Sequence, residues 1–151
     1  MKKEAATPPL PSRNLPSFTS FYDIQQLLVE KILTCREVVE YYLSNIREQS
    51  HLGAFLEVYE EEALAQASII DQKLAGGTAG RLAGMIIGLK DVLCHKDHPV
   101  QGGSQILNSF QSQFTATAVQ RLLDEDVIII GRQNCDEFAM GSSNENSHYG
   151  V

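Results

Sequence analysis

Apolar residues recur at helical spacing near the start of the chain. Ile24, Leu27, Leu28 and Ile32 form one stripe, which predicts an amphipathic helix over residues 23–33. Thr34 with Glu37 three residues on reads as a capping box. The helix it opens carries Val39, Tyr42, Leu43 and Ile46 on one face and runs to about Gln49. Two helices joined this tightly form a helical hairpin, whose apolar face needs a cover from this chain's core or from another protein chain. Residues 54–59, rich in Phe, Leu, Val and Tyr, read as a short strand. Glu60, Glu61 and Glu62 then stand where a helix N-terminus favours negative charge. That helix continues through Ala63, Ala67, Ile70 and Leu74 and stops at Gly76-Gly77.

The pattern then changes from stripes to unbroken runs. Gly84 to Asp91 is an apolar run that ends at Lys90 and reads as a buried strand. Residues 116–125 read as a helix with Val119, Leu122 and Leu123 inward, and Val127 to Gly131 as a second buried strand. Strand, connection with helix, strand is a βαβ unit, so the sheet is expected to be at least partly parallel. Residues 134–140 are expected to form a short helix, and Gly141 to Ser147 a polar loop beyond it. Such loops commonly carry function in open α/β sheets. The fold class is therefore α/β: N-terminal helices followed by the first strands of a mixed, largely parallel sheet. The sheet reads as unfinished, with no closing element after the polar loop. Residues 1–16 hold four of the five prolines and read as a disordered or extended arm. Residues 17–151 read as part of a single domain.

Composition narrows the function classes. A chain of 151 residues with 43% hydrophobic and 21% charged residues has enough apolar surface for one real core. A net charge of −7 makes direct binding to a nucleic-acid backbone a poor fit, so nucleic acid would have to be handled by a partner. No apolar run reaches membrane-spanning length, and the N-terminus lacks the apolar core of a signal peptide. The three cysteines, Cys35, Cys94 and Cys135, are odd in number and widely spaced. They point to a reducing cytoplasm rather than a disulfide framework.

Among candidate chemical groups, Lys90 stands at the end of a rigid element at the rim of a core. Most strand-end lysines are solvated charges. One that is closed over loses hydration of its charged form, its pKa falls, and it becomes available as a general base. Cys94-His95-Lys96-Asp97-His98 has metal-binding residue types, but the spacing matches no usual paired-ligand pattern, so a polar loop is the better reading. Gly102-Gly103-Ser104 lacks the lysine and spacing of a P-loop and reads as a turn. Asp136 and Glu137 are adjacent and cannot both face one substrate from a helix, which disfavours a paired-carboxylate mechanism.

Two segments together resemble the amidase signature family. Leu82-Ala83-Gly84-Met85-Ile86-Ile87-Gly88-Leu89-Lys90-Asp91 is similar to the family's lysine strand. Gly131 to Ser147, with Asp136-Glu137-Phe138-Ala139-Met140-Gly141-Ser142-Ser143 at its centre, is similar to the block that follows at a fitting distance. This block and Glu57 to Ala67 are nearest to the tRNA-dependent amidotransferase branch of the family. The resemblance covers about residues 20 to 151 and implies an incomplete amidase signature fold.

The resemblance also implies roles. Family catalysis uses a Ser–cis-Ser–Lys triad, and Lys90 matches the lysine, which acts as base through the bridging serine. Met140, Gly141, Ser142 and Ser143 are implied at the rim of the substrate pocket. In the amidotransferase branch, glutamine is hydrolysed and its ammonia passes to a second protein of the complex, where aspartate or glutamate misacylated on tRNA is amidated. This implies two partner subunits of B and C type, tRNA bound through a partner, and no membrane. No cofactor is expected on this chain, with ATP and Mg²⁺ at the partner subunit. Both family serines are implied downstream of Val151. The chain is therefore expected to be the N-terminal part of the glutamine-hydrolysing subunit, inactive alone. Ser104, Ser142, Ser143 and Ser147 do not lie in the family's nucleophile motif. A stand-alone amidase of the same family and a non-catalytic assembly module are the alternatives. Copurification with two partners, and the reading frame after Val151, discriminate among the three.

Overall fold

The computed structural model describes residues 18–150, so the proline-rich arm expected over residues 1–16 lies outside the described residues. Helix α1 (Phe21–Val29) begins two residues before the expected start, because Ser20 supplies a capping box that periodicity does not reveal. Ser20 Oγ accepts from the Asp23 amide at 3.2 Å, and the Asp23 carboxylate accepts from the Ser20 amide at 2.9 Å. The helix also stops at Val29 rather than Leu33. Lys31 adopts a left-handed φ of 58°, its amide bonds Leu28 O, and the Ile32 amide bonds Leu27 O. That is a Schellman closure with lysine in the place glycine usually takes. Ile32 therefore leaves the apolar stripe and is exposed, while Leu33 turns back into the core.

Helix α2 (Cys35–Glu48) has the expected capping box: Thr34 Oγ1 accepts from the Glu37 amide and Glu37 Oε2 from the Thr34 amide. A second cap comes from outside the helix, since the Asp71 carboxylate accepts from the Cys35 amide at 2.7 Å. Strand β1 (Phe55–Val58) leads into helix α3 (Glu60–Gly76), which opens on the glutamate triplet and closes at Gly77 in a left-handed conformation. The cover for the N-terminal helices is the chain itself. Ile24, Leu28, Val38, Val39 and Leu43 pack in one buried cluster with Ala63, Ala67, Ile70, Ile128 and Ile130.

Strands β2 (Ile86–Lys90) and β3 (Ile128–Gln133) pair in parallel, and β1 pairs antiparallel with β3, giving the order β1-β3-β2. Helix α4 (Thr117–Leu123) lies between β2 and β3 in the chain, as a βαβ unit requires. Val119 of α4 packs with Leu89, Ile129 and Tyr59, whereas α1 to α3 pack on Ile128 and Ile130. Successive strand residues face opposite sides, so α4 covers one face of β3 and α1 to α3 the other. Burial on both faces is why β3 reads as an unbroken apolar run rather than an alternation. No helix among the described residues is long and apolar enough to cross a membrane.

Three further expected boundaries are corrected. Strand β2 starts at Ile86 rather than Gly84, because Gly84 turns at φ 87°. Helix α4 is shorter than 116–125 because Asp126 adopts φ 65° and its carboxylate is held by the Gly80 amide and Lys73 Nζ. The helix expected over residues 134–140 is only a 3-10 turn at Glu137–Ala139, broken by Phe138 at φ 51°. Its groups are bound elsewhere: the Phe138 amide donates to Gly102 O and the Asp136 carboxylate accepts from residues beyond the turn.

Candidate active site at the ends of the parallel strands

The parallel strands end side by side, with Lys90 opposite Gln133. Alternation along β2 buries Leu89, exposes Lys90 and buries Asp91 completely. A wholly buried carboxylate is costly unless each oxygen is hydrogen-bonded, and here both are. Oδ1 accepts from the Gln101 amide at 2.9 Å and from Arg132 Nη1 at 2.6 Å, and Oδ2 accepts from the Gly103 amide at 2.9 Å. Arg132 comes from β3 and is 8% exposed. Its Nη2 lies 3.7 Å from Glu57 Oε2 on β1, so Glu57, Arg132 and Asp91 form a line of alternating charge across the three strands.

The Gly102-Gly103 turn can reach this carboxylate because both residues adopt φ near +63°, a region that side chains rarely enter. At Gly103 a Cβ would also stand 2.4 Å from Cys135 O. The same turn holds the segment after β3. Gly102 O accepts from the Phe138 amide at 2.6 Å and Gly103 O from the His148 amide at 2.8 Å. Ser104 Oγ donates to Glu137 Oε1 at 2.5 Å and accepts from the Ile106 amide, so this serine caps a turn. Tyr149 donates its hydroxyl to Gln101 Oε1 at 2.7 Å.

The rim residues expected from the sequence lie in that segment. Met140 is 87% exposed, and Gly141, Ser142 and Ser143 are exposed with it. Ser143 Oγ donates to Glu145 Oε2 at 2.7 Å. Asp136 anchors the loop by accepting from the Asn144 and Asn146 amides, each at 2.9 Å. These two backbone donors, the Asn146 amide foremost, hold the Asp136 carboxyl below the usual carboxylate range. A depressed folded value keeps the anchor intact above the ordinary aspartate value of about 3.9 and releases it only as pH falls through the lower folded value. Protection of the Asn144 and Asn146 amides from hydrogen exchange is therefore expected to persist as pH falls past the ordinary aspartate value of about 3.9, and to be lost only at lower pH. Asp136→Asn, which keeps one acceptor oxygen, is expected to lose the protection of one of the two amides at neutral pH.

Lys90 and the loop thus share one hydrogen-bonded frame, although the Lys90 ammonium makes no hydrogen bond or ion pair among the described residues. Its charge reaches Cys135, just before the anchor. Burial and the Asp91 charge push the Cys135 thiol up, and Lys90 opposes them. The adjacent carboxylates point to different partners, Asp136 to the loop amides and Glu137 to Ser104, so they do not form a catalytic pair.

The Cys94-to-His98 segment is a loop, and no group of three metal-ligating side chains occurs among the described residues. His95 and His98 stack at 4.1 Å with an interplanar angle of 9°, beside Tyr59, and His98 Nε2 meets Glu62 Oε2 at 2.9 Å. Burial, and then the neighbouring His98, lower the His95 pKa. An apolar concavity of about 340 Å³ lies among Tyr42, Ile46, Phe55, Ile86 and Ile130, away from the polar frame. Convergent polar groups are what chemistry needs, so the strand ends are the better candidate site.

The sequence reading missed Asp91, Gln101 and Arg132. One signal was available: Asp91 and Arg132 are opposite charges that each end an apolar run of one βαβ unit, which brings them to the same end of a parallel pair.

Known proteins match this chain over most of its length. The family model described as Amidase matches residues 37–151. The A-type subunit of glutamyl-tRNA(Gln) amidotransferase from Chlorobium luteolum is 45% identical over 134 residues, covering 88% of this chain and 28% of the relative. Its counterpart of the same description from Ruthia magnifica is 44% identical over 129 residues, covering 85% and 27%. Among solved structures, an unexpected vestigial protein complex that reveals the evolutionary origins of an s-triazine catabolic enzyme matches with a TM-score of 0.81 and 30% identity, over 87% of this chain and 30% of that one. Native peptide amidase from Stenotrophomonas maltophilia matches with a TM-score of 0.74 and 26% identity, over 80% and 25%. The chain spans about 28% of the length of the first of these curated relatives.

Proposed function

The chain belongs to the amidase family, and on that premise we propose that it is the lysine-bearing part of the glutaminase subunit of a tRNA-dependent amidotransferase. The supporting observation is the placement of Lys90. It stands exposed at the end of β2, and the loop holding Met140, Gly141, Ser142 and Ser143 is tied to the same turn as the neighbouring Asp91. The 45% identity to a relative described as the A-type subunit of glutamyl-tRNA(Gln) amidotransferase favours that branch of the family.

In this reading Lys90 takes a proton from a bridging serine, which takes one from a nucleophilic serine. Both serines come from the part of the relatives that this chain does not cover. The activated oxygen attacks the side-chain amide carbon of glutamine. The C–N bond breaks, the leaving nitrogen takes the relayed proton, and ammonia departs from a glutamyl ester. Water then attacks the ester, its proton returns to the serine, and glutamate is released. Ammonia passes to a partner subunit that would bind ATP, Mg²⁺ and tRNA, where the side-chain carboxylate of Glu-tRNA(Gln) or Asp-tRNA(Asn), activated as a phosphoryl ester by ATP, would take ammonia and release phosphate. The acidic net charge of −7 fits a chain that leaves tRNA to its partner. The setting is the cytoplasm.

The test is ammonia release from glutamine by the complete subunit with its partners, against the 151-residue chain alone. The complex is expected to form one glutamate per ammonia, and the chain alone to stay at background. Ammonia release by the purified chain that disappears in Lys90→Ala would overturn the assignment of the serines to the uncovered part.

A further inference from the structure

Asp91 has no place in the proton relay, yet hydrogen bonds hold both its carboxylate oxygens and both its backbone groups. Its carboxylate takes the Gln101 amide, the Gly103 amide and Arg132 Nη1. Its own amide donates to Gln133 O at 3.0 Å, and its carbonyl accepts from the Gly102 amide at 2.7 Å. Lys90, the next residue back, is held at its carbonyl by the Val92 and Leu93 amides, at 2.7 and 2.9 Å. The backbone carrying the lysine is therefore fixed on both sides of a side chain that stays exposed. The same Gly102-Gly103-Ser104 turn binds Phe138, His148 and Glu137 of the segment that carries the polar loop.

We propose that Asp91 is the positioning residue of this site, a buried carboxylate that sets the separation between Lys90 and the polar loop. This rests on the reading of Lys90 as the base. Lys90 and Asp91 point to opposite sides of the strand end, so Asp91 acts through the backbone and the glycine turn and does not touch substrate. Two observations favour positioning over simple ion pairing. Two of the three carboxylate contacts are backbone amides of the turn, which an ion pair with Arg132 alone would leave unbound. Moreover, the turn is shaped for them, since its two left-handed glycines aim both donors at one side chain. A base displaced by about 1 Å can lose about 10²-fold in rate, which is the scale of effect at stake.

The experiment compares glutamine hydrolysis by the complete subunit in four forms: parent, Asp91→Asn, Asp91→Glu and Ile70→Ala. Ile70 is a fully buried core residue in the other cluster, away from the strand ends. It serves as a destabilised control, assayed where circular dichroism shows every form folded. Asp91→Asn is expected to lower kcat by about 10²-fold with KM for glutamine within about threefold. Asp91→Glu, which keeps the charge but moves it by one methylene, is expected to recover part of the rate, to about 10-fold below parent. Ile70→Ala is expected to keep kcat within about twofold of parent. Asp91→Asn with kcat within about threefold of parent overturns the proposal, as does an equal kcat loss in Ile70→Ala. If neither Asp91 variant folds, the carboxylate is a folding determinant and the positioning role is refuted. Lys90→Ala separates the two readings. Full activity in Lys90→Ala refutes the lysine base, whereas an inactive Lys90→Ala beside an active Asp91→Asn refutes this inference alone.

Discussion

Replacing Lys90 by alanine in the complete subunit is expected to lower the rate of ammonia release from glutamine by about 10²- to 10⁴-fold, the range that a positioned general base supplies. Stability is expected to stay within about 0.5 kcal/mol of parent, because the side chain is exposed and makes no hydrogen bond or ion pair among the described residues. The two readouts together separate chemistry from folding. Lys90→Arg sharpens the distinction. Arginine keeps the positive charge but does not give up its proton in proteins, so it cannot act as a base. Its rate is expected to stay with alanine rather than with parent. KM is expected to change little in both variants, since the loss falls on a group that acts in the transition state. Coupled measurement of ammonia and glutamate checks this, with thermal melts alongside. An arginine variant near parent activity means that the charge matters and proton transfer through this residue does not occur.

What the sequence made legible was whatever depends on near neighbours. Thr34 and Glu37 are three residues apart, so the α2 cap could be read directly. The run from Glu60 to Gly77 carried its own start and stop. The apolar runs through Ile86 and Ile128 announced a βαβ unit, and the parallel pairing of β2 with β3 bears that out. What was not legible depends on residues far apart in the chain. Lys31 closes α1 in a conformation that favours glycine, so no residue type marked the end. Residues 134–140 look helical by composition, but Asp136 and Phe138 are claimed by Asn144, Asn146 and Gly102, and those bonds replace the helix. The frame around Asp91 joins residues 10, 12 and 41 positions away, none of which periodicity connects. Lys90 was visible because it ends a strand, whereas the groups that hold it in place were not.

The buried pair of Asp91 and Arg132 sets the second large expectation. Arg132→Met removes the cation and leaves a fully buried carboxylate with only two amide donors. Breaking a buried pair from one side costs about 3–5 kcal/mol, because the remaining charge is left uncompensated. The same loss is not expected at Glu57, whose carboxylate is exposed and 3.7 Å from the guanidinium. Glu57→Gln is expected to cost at most about 1 kcal/mol, in line with surface pairs. The double variant Arg132→Met with Asp91→Asn identifies the source of the cost. If it is the unpaired charge, neutralising Asp91 recovers part of it, and the double variant is more stable than the two single losses added together. Asparagine offers one acceptor oxygen where aspartate offers two, so the Gln101 and Gly103 amides are not both satisfied and recovery is incomplete. Urea denaturation of the parent, the Arg132→Met, Asp91→Asn and Glu57→Gln single variants and the double variant measures this. Arg132→Met within about 1 kcal/mol of parent means that water or a shifted backbone already compensates Asp91, and the frame then owes its rigidity to the glycine turn alone.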